Sequence, residues 1–234
     1  MLARRARERL LEGFLLRLAG ARDADAYALR GGMLVQQWLP EARRRVRDVD
    51  LVCALPYRVR DLRQRLEDVL RRDAADGVVF EPERVRLDAL PCAPPMLVLF
   101  AAGRADGEHA EITVDLAFGV DVWPAAVRGA GGIWTCGHEM VVATKLAVIA
   151  ELGPREWRPK DLADVWIALR RFPPASTLAA IERRGGDGVA VLAAPWWRES
   201  RAAMRWGRHV ARQAGVPDHL EAVLGEVRDK LGAA

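Results

Sequence analysis

Leu29-Arg30-Gly31-Gly32 and, after a helix-length gap, Arg47-Asp48-Val49-Asp50-Leu51-Val52 are the stretch on which the reading of this chain turns. Two glycines ahead of a helix let backbone N–H groups approach an anion, because no Cβ intervenes and the helix N-terminus favours negative charge. Asp48 and Asp50 stand two positions apart in an apolar run, so on a strand both side chains leave the same face. Together they read as a phosphate cradle facing two metal-holding carboxylates, a pairing suited to a nucleoside triphosphate. Each piece alone has a plainer reading: an ordinary turn for Gly31-Gly32, solvated polar alternation for the aspartates.

Working outward, residues 4–20 alternate arginine with leucine at helical spacing, and Tyr27 to Arg30 reads as a short strand. Met33 to Leu39 fits a short helix stopped by Pro40. Val46 to Leu55 reads as a strand ending at Pro56. Arg58 to Arg72 is amphipathic, with Leu62, Leu66, Val69 and Leu70 on one side. Val78 to Leu87 fits a strand or an irregular edge, and Met96 to Ala101 a buried strand. Glu111 to Phe118 alternates: Ile112, Val114 and Leu116 on one face, Glu111, Thr113 and Asp115 on the other. An adjacent strand would bring Asp115 beside the Asp48–Asp50 pair, giving the several converging carboxylates that a two-metal site needs.

The pattern changes at Gly129-Ala130-Gly131-Gly132, a flexible punctuation. Ile133 to Thr135 reads as a last short strand; helical pattern follows over 138–152, 160–171, 175–184, 196–213 and 217–231. We therefore expect an α/β domain over residues 1–132 and a helical domain over 133–234. On the first of these helices Lys145 shares a face with Val141, Val142, Val148 and Ile149. It either snorkels to the rim or reaches a phosphate as a point charge. Pro159 suits the first turn of the next helix, where Asp161 and Asp164 share a face and Asp161 also complements the helix dipole.

The 234 residues are 51% hydrophobic and 29% charged, which supports a sizeable core and argues against disorder. A net charge of +4 fits an anionic partner without demanding one. Cys53, Cys92 and Cys136 are odd in number and widely spaced, so neither a zinc site nor a disulfide framework is expected. His109, His138, His209 and His219 show no ligand spacing. Glu12 and Arg17 interrupt the first apolar stretch, so it is no signal peptide, and no run is long enough to span a membrane. A cytoplasmic protein is expected. Trp196, Trp197 and Trp206 accompany Arg198, Arg201, Arg205 and Arg208 in the 196–213 segment. The arrangement either clamps RNA or packs a bundle core, and core packing is the favoured reading.

These segments, in this order, resemble the AbiEii-type toxin nucleotidyltransferases, MenT-like members included, over about residues 25–170. The family's Lys-Gly-Gly-Thr corresponds to Arg30-Gly31-Gly32-Met33, and its Arg-Asp-x-Asp to Arg47-Asp48-Val49-Asp50. Its third aspartate corresponds to Asp115, followed by Gly119, Asp121 and Pro124. Glu139 and Lys145 follow, and Arg158-Pro159-Lys160-Asp161-Leu162-Ala163-Asp164 matches the Arg-x-Lys-Asp-x-x-Asp signature at every fixed position. Met33 replaces a small hydroxyl residue, Arg30 a lysine, and Val46 a serine or threonine.

The resemblance implies an α+β fold: a polymerase-β-like nucleotidyltransferase mixed sheet with helices, then a helical C-terminal bundle that completes the active site. It implies that Asp48, Asp50 and Asp115 hold Mg²⁺ (or Mn²⁺), with Asp115 alternatively acting as base. It makes Lys145 and Asp164 catalytic, and assigns Arg30, Gly31, Gly32, Lys145, Arg158, Lys160 and Asp161 to the nucleotide. The implied activity is transfer of NMP from an NTP to an acceptor, tRNA in the family, by the toxin of a toxin–antitoxin pair, with an antitoxin protein as partner. The alternatives are a catalytically silent binder of nucleotide or partner, motivated by Met33 and Val46, and a nucleotidyltransferase acting on an antibiotic-type small molecule.

Overall fold

The computed structural model describes residues 2–40, 46–120, 127–129, 132–183, 188–213 and 215–232. Asp121, Pro124, Ala130 and Gly131, each named above, and position 184 at the end of the expected 175–184 helix lie outside the described residues. The chain divides into two units: Met1–Met33 with Val46–Cys136, and Leu34–Arg45 with Gly137–Ala234. Among the described residues no helix is long and apolar enough to cross a membrane.

The first unit holds α1 (Leu2–Ala19), β1 (Tyr27–Arg30), the start of α2 (Gly31–Trp38), β2 (Asp48–Cys53) and α3 (Val59–Arg71). Then come β3 (Val79–Phe80), β4 (Arg86–Leu90), β5 (Met96–Ala105), β6 (Glu108–Phe118), β7 (Val127–Arg128) and β8 (Trp134–Thr135). The strands build one mixed sheet of order β3-β5-β6-β2-β1-β8-β7, with β4 paired to β5. β2 runs antiparallel to β1 but parallel to β6, and β8 runs parallel to β1.

Period-two alternation decides which face of this sheet is core. Val49 and Leu51 on β2 lie level with Val114 and Leu116 on β6, which pair with Leu99 and Leu97 on β5. All six are buried. α1 lies on this face: a Cβ on Gly103 of β5 would meet Leu10 Cδ2 at 2.8 Å. Leu10, Leu11, Phe14 and Leu18 of α1 supply the covering layer, and each Leu or Phe so buried contributes about 1.5–3 kcal/mol. Arg17 of α1, only 2% exposed, forks onto Asp76 at 2.8 and 3.1 Å and donates to the Val78 carbonyl, tying the helix to the segment that enters β3. The residues between the apolar positions, Asp48, Asp50 and Asp115 among them, therefore occupy the opposite face.

Some elements differ from the sequence reading. The Val78–Leu87 segment is two strands, split by a turn at Pro82–Arg84 where proline sets the backbone and withholds a donor. β5 and β6 extend to Ala105 and from Glu108, joined by the two-residue turn Asp106-Gly107, both at positive φ (51° and 78°). That is the Asp-Gly hairpin turn whose twist matches paired strands. α2 begins at Gly31 itself.

The second unit contains the rest of α2, then α4 (His138–Glu156), α5 (Pro159–Arg171), α6 (Pro174–Arg183), α7 (Ser200–Val210) and α8 (Leu220–Leu231). α4 breaks at Gly153 (φ 61°) followed by Pro154, close to where the apolar periodicity ends. The 196–213 segment is not one helix: Pro195–Arg198 forms a 3-10 turn and α7 starts at Ser200. Trp196 and Trp197 stack at 3.9 Å, both beside Trp157. Of the three tryptophans for which core packing is favoured from sequence, Trp197 and Trp206 are buried and Trp196 is half-buried; Trp157 is wholly buried beside them.

Candidate active site

The register of β2 places Asp50 level with Asp115 on parallel β6 and level with Arg30 on antiparallel β1. Asp48, two positions earlier, leaves the same face as Asp50 and pairs with Thr113. All three carboxylates are half-buried. The third acid, 65 positions beyond Asp50 in the chain, thus arrives beside it through strand pairing.

Gly31 explains why glycine stands at the end of β1. Its φ is 67°, in the left-handed region, and a Cβ there would lie 1.9 Å from Asp50 Oδ2. The Gly32 N–H donates to the same oxygen at 3.4 Å, a long and weak bond. Arg30 Nε is buried without a hydrogen-bond partner among the described residues, a cost that an anionic oxygen would relieve. Buried Cys136 follows β8, its N–H donating to the Leu29 carbonyl. Burial pushes its thiol up to about 11, against the opposing charge of Arg30.

Among the described residues no group of three His, Cys, Asp or Glu side chains lies close enough to hold a metal ion. The donor set still fits a hard divalent cation: carboxylate oxygens at facing positions, with the Asp50 carboxylate seated where a Cβ on residue 31 would otherwise stand.

In the second unit Lys145 of α4 does not snorkel. Its Nζ lies 2.7 Å from Asp161 and 2.9 Å from Asp164, with 0% and 1% of those side chains exposed. Arg158 Nε donates to the other Asp161 oxygen at 2.6 Å. Asp161 and Asp164 are thus a buried diacid neutralised by two cations, and the dipole account of Asp161 alone was too small. Lys160 is exposed and outside this cluster. Glu139 is buried at the start of α4, 3.2 Å from His138 Nδ1. Sequence pattern did not reveal that His138 also stacks on Phe172 at 4.3 Å.

A mixed sheet of this order, with Asp-x-Asp on a central strand facing a third aspartate on its parallel neighbour, is the frame of a nucleotidyltransferase. Solved structures agree on the fold. JHP933 from Helicobacter pylori aligns over 97% of this chain and 89% of its own, with TM-score 0.60 and 12% identity. Another H. pylori protein, assigned as a nucleotidyltransferase, aligns over 97% and 92%, with TM-score 0.52 and 13% identity. No curated protein matches the sequence. The family model of the nucleotidyl transferase AbiEii toxin of type IV toxin–antitoxin systems matches residues 13–205, and the chain belongs to that family.

Proposed function

We propose that the protein transfers a nucleoside monophosphate from an NTP to a hydroxyl of an RNA acceptor, of tRNA type, as the toxin of a toxin–antitoxin pair acting in the cytoplasm. The observation that carries the chemistry is the facing of Asp50 and Asp115 on paired strands, beside a glycine with no room for a side chain. The family match supports the toxin role and an antitoxin partner.

Asp48, Asp50 and Asp115 would hold Mg²⁺ (or Mn²⁺), which when bound neutralises the triphosphate and favours pyrophosphate as leaving group. As the alternative to holding the metal, Asp115 would act as base, taking the proton of the acceptor hydroxyl as its oxygen bonds to the α-phosphorus and the bond to the β-phosphate breaks. The Gly31–Gly32 backbone and the unpartnered Arg30 guanidinium bind phosphate oxygens. The family signature assigns Lys145, Arg158, Lys160, Asp161 and Asp164 as the nucleotide-contacting set of the helical unit.

The test is incubation with each labelled NTP, Mg²⁺ and total tRNA, for the native chain and for Asp48→Asn and Asp50→Asn. Label should pass to RNA with the native chain and fall at least about a hundredfold in both variants, their melting curves unchanged. Equal transfer by the variants sinks the proposal. Calorimetric NTP binding with no transfer to any acceptor would establish the silent reading instead.

A further inference from the structure

We propose that the arginine face of α7 is a docking site for the sugar–phosphate backbone of RNA. Arg201, Arg205, Arg208 and Arg212 recur at i, i+4, i+7 and i+11, so they line one side of α7 and the turn after it. Trp206 and Ala202, between them, are buried on the other side. Tryptophan and arginine in this segment therefore divide their labour: the indoles make core and the guanidinia face solvent.

Two hollows open along this face, of about 480 and 380 Å³, and they share Arg205 and Arg208. Arg155 and Arg201 add charge to the first, and Arg158, Lys160 and Arg212 to the second. Among the described residues Glu156 is the one acid lining either hollow. Arg201, Arg208, Arg212 and Lys160 make no ion pair among the described residues, whereas Arg65, Arg71, Arg84 and Arg128 of the first unit each hold a carboxylate. Trp157, wholly buried, lines the second hollow, and its indole N–H has no acceptor among the described residues. A phosphate or ribose oxygen entering there would satisfy that donor.

Charge complementarity selects the occupant. Four residues of helix rise about 6 Å, a step comparable to that of successive phosphates along a strand. Guanidinium forks suit phosphate oxygens bidentately. A protein partner would want an apolar centre, and this face offers only Met204, 55% exposed. The inference rests on the reading of the acceptor as RNA, and adds where and how that RNA is held.

The test is anisotropy of a labelled RNA stem-loop with the full chain, without NTP or divalent metal, across a salt series. The variant is R201Q/R208Q/R212Q; Arg205 is kept because it donates to the Arg155 carbonyl. The variant should bind RNA at least tenfold more weakly, with a salt slope lower by about two. R201K/R208K/R212K should retain the slope, and NTP binding by calorimetry should be unchanged in both. Wild-type affinity and slope in the glutamine variant would overturn the proposal, as would no RNA binding by the native chain at low salt. Poly-glutamate binding more tightly than RNA through the same arginines would overturn it in favour of an acidic protein. RNA binding through these arginines without nucleotide transfer would uphold this site while sinking the transfer reaction.

Discussion

Gly31 and Asp50 are packed so closely that a Cβ on the glycine would stand 1.9 Å from the aspartate Oδ2. Gly31→Ala must therefore displace the carboxylate as well as hold alanine at positive φ, a conformation costing about 1–2 kcal/mol. Gly107, also at positive φ, has nothing within 4 Å of its would-be Cβ, so Gly107→Ala carries the conformational cost alone. We expect both variants to melt lower and only Gly31→Ala to lose nucleotide transfer. Matching transfer rates would show that the contact does not matter to the reaction.

Lys145 will be hard to read by simple truncation. Its ammonium neutralises two carboxylates with almost no exposure, so Lys145→Ala strands buried negative charge at a cost of about 3–5 kcal/mol. Urea unfolding should show that loss, and adding Asp164→Asn should recover part of it. A full return of stability without any second change would contradict the buried-charge account. Lys145→Arg, which keeps the cation, is the better probe of a role toward nucleotide.

Acid should loosen the second unit through His138. Burial pushes this imidazole below its ordinary value, outweighing the charge of Glu139 and the Pro173 carbonyl, which both favour the protonated ring. The unfolded chain then takes up a proton that the folded chain resists, below roughly pH 6.5. The neutral ring's contribution is whole above that pH and is lost progressively as pH falls toward the depressed folded value. Urea midpoints measured from neutral to mildly acidic pH should fall, and fall less steeply in His138→Gln. Parallel slopes would show that His138 is not the responsible group.

Strong local signals made much of this molecule legible in advance. β1 ends at the double glycine that marks it in the sequence, and the apolar stripe of Leu62, Leu66, Val69 and Leu70 marks α3. Alternation in β6 put Asp115 opposite the core residues, and the expected adjacency to the Asp48–Asp50 strand is present as the Asp50–Asp115 register. What stayed hidden depends on partners far along the chain. β4 is largely exposed and carries no clean alternation; it exists because β5 offers it an edge. The Lys145–Asp161–Asp164 cluster joins two helices, and spacing within α4 alone left the rim and a phosphate equally open to that lysine. A single helix over 196–213 hides the separation of the α7 arginines from the tryptophans, because the break before Ser200 depends on how Trp196 and Trp197 pack.

The parallel seam between β2 and β6 also governs when the acid face can exist. Its two strands are separated by a helix, a hairpin and a third pairing partner, so their union is a late, non-local event in folding. A ribosome must pass Phe118 before the third carboxylate has a strand to stand on. A chain that ends before Asp115 carries Asp48 and Asp50 without their counterpart.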